Sequence, residues 1–310
     1  MTALWSIVIP TFHRPALLRQ AVRSCMAARR PDGAALEIVV VDNSATGDAA
    51  EVCREMGFGE IRYVHEARPG LAHARNRGID EARGEVLVFL DDDEHADDNW
   101  LVELDRAFEA SGADILCGWI EPDFAVAPER MAAYLTNFYR RDVERPSGAD
   151  LSDILNYVGS GNSAFRRERC FGGGIRVDER FNHFGSEDIQ LFRTLVAAGL
   201  RIAWAPKAVV HECIPVERAS VPYLKARRRL QGQQRVFGMA IGGPLQKAKV
   251  PVFMAGGAAQ AGLHAVLWLC SIVTGRRERA TEHAIEIEGG LGKVFWTGAS
   301  RRRIYGKSPD

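Results

Sequence analysis

The sequence predicts an α/β protein built on a doubly wound, mostly parallel sheet, and two observations carry that prediction. Short apolar runs rich in β-branched residues (5–10, 38–41, 61–64 and 86–90) lack the polar alternation of a sheet with one wet face. Stretches of helical periodicity separate them, the βαβ alternation that lays helices on both faces of a parallel sheet.

Taken in order, the first run ends at Pro10, and Pro15 then opens a helix where its missing N–H costs nothing. Leu17, Leu18, Ala21, Val22, Cys25 and Met26 recur along one face of that helix. The second run ends in Asp42-Asn43-Ser44 and leads to a helix through Val52 and Met56. After the third run, Gly70 introduces a helix carrying Arg75 and Ile79. The fourth run leads directly into Asp91-Asp92-Asp93. Ligands of such sheets bind beyond the carboxyl ends of the strands, so Pro10-Thr11, Asp42 and the acidic triplet are expected at one edge. Further on, a strand over 115–120 and a helix over 131–139 precede two glycine-rich runs, 159–162 and 172–174. Ser186 is read as the N-cap of a helix with Glu187 and Asp188 in its first turn and Gly199 as its stop. Apolar runs at 201–205 and 208–210 follow, the second ending at His211.

This divides the chain into residues 1–113, a nucleotide-binding half, residues 114–224, a less regular second half of the same domain, and a C-terminal region, 225–310; the acceptor and catalytic-base role of 114–224 rests on the family resemblance given below. That last region is basic, with Arg227-Arg228-Arg229 on a helix, and residues 250–274 carry no charge. Such a stretch is long enough to span a bilayer. Its Gly, Gln260 and His264, and basic residues on both flanks, equally suit a helix or hairpin resting on anionic lipid. Forty basic and forty acidic residues cancel, so no global charge argues for a nucleic-acid partner. Six cysteines without a CxxC pair read as reduced thiols in the cytosol. No basic-then-apolar leader follows Met1, which places the expected active site on the cytoplasmic face of the membrane.

The acidic triplet offers oxygen ligands suited to Mg²⁺ or Mn²⁺, which complete their shell with water and substrate phosphates; a solvated acidic loop is the plainer reading. Asp42 serves either as a turn residue or as an acceptor for a base N–H or ribose hydroxyl. Arg75, near a helix start, offers forked donors to a base or diphosphate, or sits on the surface. The helix dipole favours the ionised form of Asp188, and a general base must be ionised. Burial or Glu187 would have to restore its basicity. His211 could complete a metal site with neutral imidazole. Trp100 is read as packing beneath the acidic loop.

Five motifs in order, SIVIPTFHRPALL, IVVVDNSATGD, RPGLAHARNRGI, EVLVFLDDDEHADDNWL and the pair GSGNSAFRRE with FGSEDIQLFRTLVAAG, resemble glycosyltransferase family 2 over residues 6–212. The resemblance implies a GT-A fold with Asp91 and Asp93 at the ends of the DxD motif. It makes Asp93 a direct metal ligand and gives Asp92 a contact to the nucleotide or ribose; Asp91, and His211 from its place at a strand end, are further metal candidates. Thr11 and Asp42 would line the base pocket, beside Pro10 at the end of the first strand, and Arg75 would touch base or diphosphate. Asp188, with Glu187 beside it, would be the catalytic base of an inverting displacement. The acidic run is longer than a bare DxD, which leaves the assignment between Asp92 and Asp93 open; no QxxRW motif of processive synthases is present, so transfer of one sugar is expected. A UDP-sugar is the implied donor, and a glycan or lipid-linked oligosaccharide of exopolysaccharide or envelope synthesis the acceptor. A nucleotidyltransferase lacks support without a Gly-rich triphosphate loop after the first strand. A non-catalytic, membrane-bound carbohydrate-binding scaffold would be favoured by loss of the acidic loop or of the Glu187-Asp188 pair, and both are intact.

Overall fold

The computed structural model describes residues 3–57, 59–182 and 185–297. The first part alternates as expected: β1 (Leu4–Thr11), α1 (Pro15–Ala27), β2 (Ala35–Asp42), α2 (Ala49–Met56), β3 (Ile61–His65), α3 (Leu71–Glu81) and β4 (Val86–Phe89). A short β5 (Glu94–Ala96) and α4 (Trp100–Ser111) follow, then β6 (Ile115–Phe124), α5 (Ala132–Tyr139), β7 (Ser163–Arg166) and α6 (Arg167–Phe171). The remaining elements are α7 (Glu187–Ala197), β8 (Ile202–Ile214), α8 (Val221–Ala240), α9 (Pro244–Ala248), α10 (Val250–Val273) and α11 (Arg277–Val294).

Among the described residues, eight strands form one sheet in the order β3-β2-β1-β4-β7-β6-β8-β5. Successive residues of a strand face opposite sides. Ile7, Ile9, Ile38 and Val40 therefore enter one core layer, and Val8, Val39 and Val41 enter the other. Both faces are dry, which is why these strands read as unbroken apolar runs.

The sheet is more mixed than the sequence pattern suggests. β1, β2, β3 and β4 are parallel to one another, as are β6 and β8, but β7 runs antiparallel to both β4 and β6. β7 is four residues long and gave no separate apolar signal. It also joins the two expected halves, 1–113 and 114–224, into one continuous sheet. The runs expected at 201–205 and 208–210 are a single strand, β8, whose pairing with β6 shifts register between Gly118 and Trp119. That irregularity absorbs Pro206, which interrupts the pattern in the sequence.

Ser186 precedes α7 but does not cap it. It sits at φ 70° and its side chain makes no cap hydrogen bond. An N-cap residue needs β-region dihedrals to aim its oxygen at the first free N–H groups, and the left-handed turn turns it away. Phe184 of the FGSED motif and residues 298–310 of the basic tail lie outside the described residues.

The apolar stretch near the C-terminus is one continuous helix, α10, which rules out a hairpin within it. A window of Pro244–Val273 is long and apolar enough to cross a membrane, and only 11% of it is buried.

Candidate active site

β1 and β4 are parallel neighbours, so the chain leaving each of them emerges at the same edge of the sheet. Thr11 at the end of β1 thereby meets the acidic loop after β4, and its Oγ1 donates to Asp92 Oδ2 at 2.8 Å. Arg14, in the turn before α1, donates from one Nη1 to Asp92 and to Asp93, each at 3.0 Å. Arg218, in the turn after β8, donates to Asp93 at 3.0 Å and to Glu212 at 3.2 Å. These groups wall a cleft of about 630 Å³ that also takes in Pro10, Asn43 and Asp91. That size falls in the range of small-molecule sites. Phe138, Tyr139, Tyr223, Arg227 and Gln231 close it from the side of α5 and α8.

A second network lies behind the acidic loop. Arg75, on α3, donates to Glu187 at 2.5 Å and to Asp91 at 3.4 Å, and its guanidinium stands 6.0 Å from the Phe89 ring centroid. Arg75 and Glu187 are buried. Arg75 thereby ties the acidic loop to the first turn of α7, and its bond to Glu187 spans 112 residues of sequence. Asp188, the next residue, accepts its neighbour Ile189 N–H at 2.7 Å and is only partly buried. A Cβ placed on Gly159 would come within 3.1 Å of Asp188 Oδ2, and one on Gly161 within 2.8 Å of Asp91 Oδ2 and 2.7 Å of Glu94 Oε1. Those two glycines let the 159–162 loop lie against the carboxylates.

The carboxylates are crowded enough to hold protons. Burial first, then Asp93, pushes Asp92 up to about 6, against the pull of Arg14. Burial and Asp93 push Glu212 up to about 8, and Arg218 opposes them. Glu187 is pushed up to about 7 by burial, with Asp188 adding to the rise and Arg75 opposing it. Asp91 and Glu94 are shifted upward as well, again chiefly by burial. The donor chemistry fits a hard divalent cation, since Asp91, Asp93 and Glu212 line the same cleft and each offers carboxylate oxygens. A cation there would also relieve the repulsion that adds to burial in raising the pKa values of Asp91 and Glu212.

The structure places three of the sequence candidates away from the cleft. Asp42 is fully buried, and its carboxylate accepts from Ser44 N, Ala49 N and Tyr63 Oη. It is the turn residue that starts α2. Its neighbour Asn43 reaches the cleft and ties Gly70, Glu66 and Arg68 together. Arg75 is sealed between two carboxylates and does not line the cleft. His211 is on the wrong face of β8: its Nε2 pairs with Asp97 at 2.9 Å and its ring stacks on His95. Side chains alternate along a strand, so Glu212 takes the cleft side and Cys213 returns to the face of His211. On that far face the donor atoms of His95, Asp123 and Cys213 lie within 4.8 Å of one another.

Pro10, Thr11, Asp91, Asp92 and Asp93 line the cleft; Glu187 does not, but is joined to Asp91 through Arg75, and Asp188 follows it in the chain. Trp100 is fully buried and donates to Asn162 Oδ1 at 2.7 Å, a packing role. Sequence reasoning missed Arg14, Arg218 and Glu212. Glu212 was findable from strand parity, since a residue beside His211 must face the other way. Arg14 sits inside the first motif but carries no pattern of its own. Arg218 had no signal, because its partner is 125 residues away.

Comparison with known proteins agrees with this geometry. The family described as Glycosyl transferase family 2 matches residues 6–170. The succinoglycan biosynthesis protein ExoM of Rhizobium meliloti is 32% identical over 232 residues, covering 73% of this chain and 72% of that protein. A GalNAc(5)-diNAcBac-PP-undecaprenol beta-1,3-glucosyltransferase of Campylobacter jejuni is 32% identical over 93 residues, 29% of each chain. Among solved structures, the mannosyltransferase PcManGT of Pyrobaculum calidifontis, in complex with GDP-Man and Mn²⁺, superposes with a TM-score of 0.60 at 18% identity, covering 95% of this chain and 88% of that one. S. aureus TarS 1–349 with UDP-GlcNAc gives 0.56 at 16% identity over all of both chains. At such identities these structures establish the fold, which is GT-A.

Proposed function

The chain belongs to glycosyl transferase family 2, and on that premise we propose that it moves one sugar from a nucleotide-sugar donor to a hydroxyl acceptor with inversion at the anomeric carbon. The observation that carries the proposal is the cleft itself, which carboxylates Asp91, Asp93 and Glu212 line together with the guanidiniums of Arg14, Arg218 and Arg227. A nucleoside diphosphate needs both, a cation site and forked donors for its phosphate oxygens. A divalent cation, Mn²⁺ or Mg²⁺, held by Asp93 with Asp91 and Glu212 would neutralise charge on the departing diphosphate.

The remaining work falls to the chain's own side chains. Asp188 takes the proton of the acceptor hydroxyl as that oxygen bonds to the anomeric carbon and the bond from that carbon to the phosphate oxygen breaks. Glu187, clamped by Arg75, fixes the first turn of α7 and so the position of Asp188 relative to the acidic loop. Arg14 and Arg218 exchange their carboxylate partners for phosphate oxygens. Thr11 holds Asp92 in place beside the ribose, and Pro10 and Asn43 border the nucleoside. The aromatic wall of Phe138, Tyr139 and Tyr223 gives the acceptor sugar apolar faces to rest on.

A UDP-sugar donor is supported by the UDP-GlcNAc complex of a structural neighbour, and a GDP-sugar by the GDP-Man complex of another. The named role of ExoM and the undecaprenol-linked substrate named for the Campylobacter enzyme support a lipid-linked glycan acceptor in exopolysaccharide or envelope synthesis. The uncharged surface of α10 supports work at the cytoplasmic face of a membrane.

The test is donor binding and hydrolysis across UDP-, GDP- and dTDP-sugars with Mn²⁺, Mg²⁺ or EDTA. One donor should bind in a metal-dependent way. Asp93→Ala should abolish that binding, while Asp188→Ala should keep it and lose turnover. If no nucleotide-sugar binds with any metal, the catalytic reading falls.

A further inference from the structure

α10 is built inside out. The residues it turns toward the protein are small or polar, namely Gly257, Gln260, Ala261, His264 and Ser271, while Val252, Leu263, Val266 and Ile272 are more than half exposed. A helix on a water-soluble surface has the reverse distribution. The inward stripe is specific. Gly257 and Gly290 approach so closely that a Cβ on Gly257 would stand 2.8 Å from Gly290 O, and Lys293 Nζ donates to Gln260 Oε1 at 2.7 Å. His264 and His283 place their Nδ1 atoms 3.1 Å apart. The apolar face is therefore the outer surface of a formed structure.

The same contacts decide how α10 can meet a bilayer. They pair residue 257 with 290 and 293, and 264 with 283, so α11 runs antiparallel along α10 after the turn at 274–276. α11 is in turn fastened to α8: Arg228 and Arg229 pair with Glu286 and Glu288, both at 2.7 Å, and a Cβ on Gly292 would strike the Arg229 carbonyl. Driving α10 through the hydrocarbon would carry Glu282 and Glu286 to its middle. Each buried charge disfavours that on the order of a hundredfold, ~2.5–3.5 kcal/mol. Lying flat, α10 keeps α11 and its charges on the protein side and presents only its apolar face. Lys247 and Lys249 at one end, with Arg276, Arg277 and Arg279 at the other, then meet the same layer of headgroups. Basic residues at both ends, uninformative for a spanning helix, are what an in-plane helix on an anionic leaflet requires.

We propose that α10 lies in the plane of one anionic leaflet as a monotopic anchor, with α11 holding it to the catalytic domain through α8. This rests on the membrane reading given under the proposed function, and two measurements separate the failure of each. The first is flotation of the full-length chain with vesicles of phosphatidylcholine, with and without phosphatidylglycerol. The wild type should float with the anionic vesicles. Leu263→Glu with Val266→Glu should abolish flotation while circular dichroism and the melting transition stay unchanged. Each neutralised basic residue, Lys249→Gln or Arg277→Gln, should weaken binding about fivefold. If the wild type floats no better than the double variant, the membrane reading itself fails. The second measurement labels Lys249→Cys and Arg276→Cys, each with Cys270→Ser, using an impermeant maleimide on spheroplasts. Neither should react until the cells are lysed, and then both should. If Arg276→Cys reacts in intact spheroplasts while Lys249→Cys does not, α10 spans the membrane and the in-plane arrangement is overturned.

Discussion

Two arginine–carboxylate networks flank the acidic loop, and they differ in what they can exchange. Arg14 and Arg218 bond Asp92, Asp93 and Glu212 at the wall of an open cleft, with Arg14 40% exposed. Arg75 bonds Asp91 and Glu187 behind the loop, with its side chain and that of Glu187 at 4% and 5%. A guanidinium at the cleft can release a carboxylate and take a phosphate. One sealed behind it has no such alternative, and its removal strands a charge. Sequence motifs put Arg75 and Arg14 in equivalent company; only burial tells the positioning residue from the one that can meet a ligand.

Removing Arg75 is the strongest way to test that difference. Arg75→Ala leaves Glu187 buried without its partner, and breaking a buried pair costs about 3–5 kcal/mol. A fall of that size in urea-unfolding stability is expected, together with loss of turnover. Glu187 can partly compensate by taking a proton, so the deficit should shrink as pH drops from 8 to 6, below the value of about 7 to which it is pushed. Adding Glu187→Met to Arg75→Met should restore stability and leave turnover lost. A double variant with recovered activity would show that the clamp positions nothing.

Arg218→Ala should behave in the opposite sense. Its bonds are at the cleft wall, where water can reach the freed carboxylates, so stability should fall by less than in Arg75→Ala. A hydrogen bond to a charged group contributes about 1.5–3 kcal/mol, so kcat/KM for the donor should fall between about tenfold and a hundredfold. Cation affinity should stay level or rise, since Asp93 loses a competing donor. Weaker cation binding in this variant would mean that Arg218 shapes the metal site instead of serving the diphosphate.

The pH dependence sharpens the comparison further. Asp92, Glu187 and Glu212 have folded pKa values raised to about 6, 7 and 8 from ordinary values of 3.8, 4.5 and 4.5. Between those limits the native chain binds more protons than the unfolded one. Stability therefore falls as pH rises from about 4.5 to 8 and levels off above. A cation competes with the protons on Asp92's loop and Glu212 but not with the proton of Glu187. The gain in melting temperature with Mn²⁺ should grow over that window, and Glu212→Gln should flatten the upper part of it. A cation-induced gain independent of pH would place the ion elsewhere.

How much of this was legible beforehand follows from the range of the interactions. The strands of the first half were readable because both faces are dry and local composition suffices. The acidic loop was readable because it directly follows one of them. β7 was not, since four residues carry no periodicity and its place between β4 and β6 is set by pairing alone. Ser186 illustrates a different limit: the residue type suited a cap, but the left-handed backbone needed to bring Glu187 to Arg75 prevailed. Arg218 and the inverted face of α10 depend wholly on tertiary contacts. An apolar stretch announces a buried or lipid-facing helix alike until its polar side is found pressed against the protein.

The smallest expected effect concerns strand parity at the end of β8. His211 and Glu212 are adjacent, yet one pairs with Asp97 on the far face and the other with Arg218 at the cleft. His211→Ala removes a half-exposed pair and a ring stack, so stability should fall by less than ~1 kcal/mol. Titration with Mn²⁺ should give the wild-type affinity in that variant and a weakened one in Glu212→Gln. The two substitutions are one peptide apart, so a general disturbance of the strand would affect both alike. A matching loss of cation affinity in His211→Ala would mean that β8 twists in solution to offer its imidazole to the acidic loop, and the separation of the two faces would no longer hold.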